Sequence, residues 1–178
     1  TGSTVNSYYR EVSRNGFYFV PAAETYGTAN DGVVKVRLGY NHPNTNDNTG
    51  PANQKIVYDA LVAANPYVNF AAFDTNGNGG LSTSELLVVT VVAGYETACS
   101  GGYPSVWAHE WSLSNPPVLD GKRVCAFSDG GAYAQAGELH SPVHMATCGV
   151  LAHELGHSLG LPDLYDTSAL GGTSNVGP

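Results

Sequence analysis

His153, Glu154 and His157 stand in the spacing H-E-x-x-H. On an α-helix, residues four apart differ by about 40° in direction and one turn in height, so the two imidazoles project side by side and can grip one metal ion. Glu154 turns about 100° away from His153, near such an ion but not necessarily on it. That offset suits a base acting on metal-activated water. Gly160 is suited to the left-handed conformation that ends a helix, and Pro162 stops the helix from resuming. If the helix ran on, Asp163 would lie about 9 Å farther along its axis on another face; with the helix stopped, the chain can fold back and bring it to the ion. No glutamate follows Glu154 and no histidine follows His157, so a third downstream ligand within this chain is Asp163 or Asp166. Two histidines and a carboxylate leave one coordination position open, as in catalytic rather than structural zinc sites.

A second constellation, Asp74-Thr-Asn-Gly-Asn-Gly-Gly-Leu-Ser-Thr-Ser-Glu85, fits the twelve-residue calcium loop. Asp74, Asn76, Asn78, the Gly80 carbonyl, Ser82 and Glu85 would supply the oxygens, and calcium there would have a structural role. Only two of these ligands are charged, and a strand pattern follows where an EF-hand would continue as a helix. An ion-free Asx-rich turn is the competing reading.

Other combinations carry less. His140 and His144 are four apart, but Glu138 is the only acidic residue close by, so solvated or core histidines are the expectation. His109 and Glu110, between Trp107 and Trp111, fit an alternating strand. Ser128-Asp129 lacks the context of a serine nucleophile, and no G-x-x-x-x-G-K-[ST] run supports nucleotide binding. Cys99, Cys125 and Cys148 form no CxxC pair; one disulfide with a leftover thiol and three small buried residues are both open.

The elements that must position these residues read as a single α/β unit. The 178 residues are 42% hydrophobic, enough for a real core, and no apolar run approaches a membrane span. A formal charge of −8 argues against a nucleic-acid partner. Abundant Gly and Tyr with scarce Lys and Arg fit an exported protein. Helices are expected over Val5–Val12, Ala52–Ala64 and Val143–Leu159. Strands are expected over Phe17–Val20, Val33–Leu38, Leu86–Ala93, Val106–Trp111 and Arg123–Phe127, with loops over Asn41–Pro51 and Ser128–Pro142. There is no internal repeat and no linker that divides the chain.

The run H-E-L-G-H-S-L-G-L-P-D-L-Y-D from His153 resembles the metzincin signature, with aspartate where a third histidine is commoner. More narrowly, it resembles the immune-inhibitor-A family of secreted bacterial metalloproteases. Ser7-Tyr-Tyr-Arg-Glu-Val-Ser13, Phe73-Asp-Thr-Asn-Gly-Asn-Gly79 and Val106-Trp-Ala-His-Glu-Trp-Ser-Leu113 resemble family segments in the same order, so the likeness spans most of the chain. It implies a metzincin-like fold, with a twisted mixed sheet packed on a backing helix and an active-site helix. It also implies Zn2+ on His153, His157 and Asp163, Glu154 as general base, and protein or peptide substrates. Such substrates would lie extended along an edge strand, for which Arg123–Phe127 is the expectation. The family's methionine turn and first strand are not recognisable in residues 1–178, which are therefore expected to be part of a larger catalytic domain that meets its remainder or a propeptide. The alternatives are a non-enzymatic calcium-binding extracellular module and an inactive protease fragment.

Overall fold

The computed structural model describes residues 4–45, 48–99 and 102–163. Three helices, α1 (Val5–Val12), α2 (Pro51–Ala64) and α3 (Cys148–Ser158), pack with eight strands: β1 (Gly80–Leu81), β2 (Val88–Glu96), β3 (Ser105–Val106), β4 (His109–Trp111), β5 (Val118–Leu119), β6 (Lys122–Val124), β7 (Tyr133–Ser141) and β8 (His144–Met145). The larger sheet is ordered β3-β2-β7-β4, with β8 folded back on the end of β7; the smaller is β1-β6-β5. Both are mixed. β2 runs parallel to β3 and β7, whereas β4 and β8 are antiparallel to β7. No helix among the described residues is long and apolar enough to cross a membrane.

β7 is the axis of the molecule. Successive side chains on a strand point to opposite faces, and on β7 the two faces meet different cores. Tyr133 packs with Val57 and Leu61 of α2 and with Leu81, Val124 and Cys125. Ala134 packs with Tyr9 of α1 and with Ala152 and Leu155 of α3. Beside Tyr133, Gln135 donates to Asn53 of α2 at 2.7 Å, and the same amide oxygen accepts from Thr45 at 2.7 Å. The sheet therefore lies between a backing helix, α2, and the helix that carries H-E-x-x-H. Gly149 and Gly156 each cost α3 about 0.8–1.0 kcal/mol of helix propensity relative to alanine. Burying a side chain such as Leu155 returns about 1.5–3 kcal/mol, so packing on β7 rather than propensity holds α3.

The first two helices lie where the periodicity places them, although Tyr8 and Val12 of α1 are exposed and only Tyr9 is buried. Several expectations change. Phe17–Val20 and Val33–Leu38 are not strands. At Phe19 the Asn6 side chain takes the place of a neighbouring strand, accepting from the backbone N–H at 3.0 Å and donating to the carbonyl at 3.1 Å. Val106–Trp111 is two strands, and the expected loop over Ser128–Pro142 contains β7. The third helix begins at Cys148 because His144–Met145 pair with β7. Arg123–Phe127 is not the edge strand beside the active helix: Lys122–Val124 is the middle strand of the smaller sheet, paired on both sides, and Cys125 then adopts φ 58°. The edge next to α3 is β4. Asp166 lies outside the described residues.

Candidate metal centre

The end of α3 builds the site. Gly160 has φ 83°, a left-handed conformation that glycine adopts without steric cost. Its N–H donates to the His157 carbonyl at 2.8 Å, and the Leu161 N–H donates to the Gly156 carbonyl at 3.0 Å. This pair of bonds is a Schellman stop. The chain turns back, and Asp163 Oδ1 comes to 3.2 Å from His153 Nε2 and 3.3 Å from His157 Nε2, while the two imidazole nitrogens are 3.2 Å apart. A tetrahedral zinc about 2.0–2.1 Å from each ligand holds them about 3.3–3.4 Å apart, so the triangle has the size this ion requires. Asp163 Oδ1 is buried and makes no hydrogen bond among the described residues, the condition of an acceptor aimed at a cation. His157 Nδ1 lies 2.9 Å from the Leu161 carbonyl. Only a protonated Nδ1 can bond there, which leaves the Nε2 lone pair to face the triangle.

Glu154 is on the adjoining face, 7% exposed, and the Glu110 backbone N–H of β4 is near enough to its carboxyl to favour the charged form. His153, Glu154 and His157 form one group able to hold a metal. Burial pushes Glu154 up to about 7; Asp163 and Glu96 add to this, and His157 and the Glu110 N–H oppose it. This holds for the metal-free site; a cation on the two histidines would lower the carboxyl's pKa. Along His153 and His157 on the α1 side runs an open groove of about 450 Å³, bordered by Tyr8, Tyr9, Val12 and Leu161.

The remaining candidates are placed elsewhere. In the Asp74–Glu85 loop, Asp74 accepts from the N–H groups of Gly77 and Gly79 and takes the Lys122 ammonium at 2.6 Å. Glu85 accepts from Thr75, Asn76 and Ser82. Asn76 and Asn78 accept from the N–H groups of Asn78 and Gly80. The Lys122 ammonium holds the Asp74 carboxyl below its usual range. His140 and His144 stack with centroids 6.2 Å apart. His109 is a core residue, with Nδ1 2.7 Å from the Trp107 carbonyl and Nε2 3.1 Å from the Tyr133 hydroxyl. All three cysteines are free and only Cys125 is buried.

Three participants have no signature in the sequence. Tyr9 donates to the Ala152 carbonyl at 2.7 Å and ties α1 to α3. The Glu110 N–H lies near the Glu154 carboxyl and favours its charged form. Glu96 is a fully buried carboxylate at the end of β2. The one hint for Glu96 is an acidic residue directly after an apolar strand.

A family model described as immune inhibitor A peptidase M6, catalytic domain, matches residues 2–178. Immune inhibitor A of Bacillus thuringiensis subsp. alesti is 31% identical over 183 residues, covering 94% of this chain and 26% of the relative. The pre-pro-metalloprotease PrtV of Vibrio cholerae serotype O1 (strain M66-2) is 30% identical over 184 residues, covering 94% of this chain and 19% of the relative. The chain thus spans only about a quarter or a fifth of the length of these relatives. No solved structure gives a significant match. With a family match across almost its whole length, this chain belongs to the immune inhibitor A (M6) peptidase family.

Proposed function

We propose that the chain is the metal-binding core of a secreted zinc metalloendopeptidase, with His153, His157 and Asp163 as ligands and Glu154 as general base. The observation that carries this reading is the 3.2–3.3 Å triangle of Nε2, Nε2 and Oδ1 atoms. When bound, zinc would supply a Lewis acid that polarises the scissile carbonyl and acidifies water. Glu154 takes the proton of the attacking water and passes it to the departing amine. β4 lies at the end of its sheet, so a substrate backbone can add to its outer edge as a further strand.

Glu154→Gln tests the assignment. The variant is expected to keep one zinc per chain while casein cleavage falls by about 10²–10⁴; zinc retained with the parent rate would sink it. Structural calcium at Asp74–Glu85 is a separate proposal, in which the ion must displace the Lys122 ammonium from Asp74. Calorimetry should show tighter calcium binding to Lys122→Met than to the parent, and no calcium heat in either protein removes the proposal.

A further inference from the structure

β3 and β4 are separated in sequence only by Trp107 and Ala108, yet β3 pairs on the outer side of β2 and β4 on the outer side of β7. This short link crosses both central strands. Backbone donors at such a crossing leave the ladder, and a buried unsatisfied donor costs about 1–3 kcal/mol. Here three of them converge on Glu96. Its Oε1 accepts from Ala98 at 3.1 Å and from Ala108 at 2.9 Å, and its Oε2 accepts from Gly137 of β7 at 2.8 Å. The residue is 0% exposed. Among the described residues its charge has no Lys or Arg partner, so N–H dipoles carry it. Glutamine cannot reproduce this arrangement, because its one carbonyl oxygen would leave an NH₂ facing an N–H donor. The strands pinch together at the same place: a Cβ on Gly137 would lie 2.5 Å from the Tyr95 carbonyl oxygen and 2.6 Å from the Glu96 nitrogen.

Ala108 is the residue before β4, which packs against α3, and the N–H of Glu110, two residues on, lies near the Glu154 carboxyl. We propose that Glu96 is a positioning residue of the peptidase site: by clamping Ala108 to Gly137 it sets the height of β4 against α3, and so places the Glu110 N–H beside Glu154. The inference rests on Glu154 being the base. Glu96 never meets the substrate; it acts through β4.

The test uses the zinc-loaded full-length enzyme and Glu96→Gln, with Glu96→Asp taking its place under the same readouts if the amide does not fold. Zinc is expected to stay at one per chain, with kcat down by about tenfold or more on a quenched peptide and KM changed by less than about threefold. In metal-free protein, amide exchange at Glu110 should quicken by about tenfold or more while the Val89 and Val91 amides of β2 stay unchanged. In a Glu154→Gln background the Glu96 substitution should change the residual rate by less than about twofold, because the two act as one unit. An unchanged kcat with unchanged Glu110 exchange overturns the proposal, as does a full Glu96 effect in the Glu154→Gln background. A Glu154→Gln enzyme at the parent rate sinks the base assignment alone, and Glu110 exchange then decides whether Glu96 places β4.

Discussion

As a proposed zinc ligand, His157 would owe much of its behaviour to its neighbours. Its usable lone pair is fixed by a carbonyl four residues on, and its partner Asp163 is delivered by the same turn. Replacing Asp163 with asparagine removes the charge opposite both imidazoles. Zinc affinity by competition with a chelator should fall by more than the roughly 10–100-fold typical of losing an outer partner. Tyr9→Phe should leave zinc affinity intact and cost about 0.5–1.5 kcal/mol in urea unfolding, the worth of its bond to Ala152. His109 is kept neutral: burial lowers its pKa, against the opposing Trp107 carbonyl and Glu96 charge. The unfolded chain, whose histidine titrates near 6.5, then takes up a proton that the folded chain refuses, so stability is lost as pH falls through that value. His109→Gln should show a shallower drop in urea midpoint between about pH 7 and about pH 5 than the parent.

Among the elements, two glycines have opposite duties. At Gly156 in α3, a Cβ would meet nothing nearer than the Tyr9 hydroxyl at 3.4 Å, so Gly156→Ala should raise stability by about 0.5–1 kcal/mol. At Gly137 in β7 it would strike backbone atoms that cannot yield, and Gly137→Ala should lower stability by about 1–3 kcal/mol or more. Thermal unfolding of the two variants should move in opposite directions. The same contrast explains what was legible in the sequence. α1, α2 and the H-E-x-x-H segment follow from spacing within one turn of helix, and Gly160 followed by Pro162 marks the stop that lets Asp163 return. β7 was hidden because Ala134, Ala136 and Gly137 have weak strand propensity and are chosen by close packing on both faces. Phe17–Val20 has strand-like residues but finds a side chain instead of a strand. Glu96 and the Glu110 N–H were not legible because their partners are brought together only by the crossing of β3 into β4.

At the scale of the whole molecule, the two cores meet on opposite faces of β7, and α3 is held from behind by Ala134 and from the side by α1. Since the ligand triangle exists only in the folded chain, zinc at about 100 times its dissociation constant should stabilise the protein by about 2.7 kcal/mol, reversed by chelator and blunted in Asp163→Asn. The Schellman stop at Gly160 gives this linkage a direction. His157 lies before the stop and Asp163 after it, so an ion shared between them, as proposed, would staple the helix to its own exit. Fraying the last turn and releasing the ion would then be one event. The coupling is reciprocal: a substitution that disfavours the left-handed residue, such as Gly160→Ala, weakens the ion's hold, and the ion in turn suppresses the opening of that turn. With that ion bound, the helix terminus would act as a ligand-operated latch.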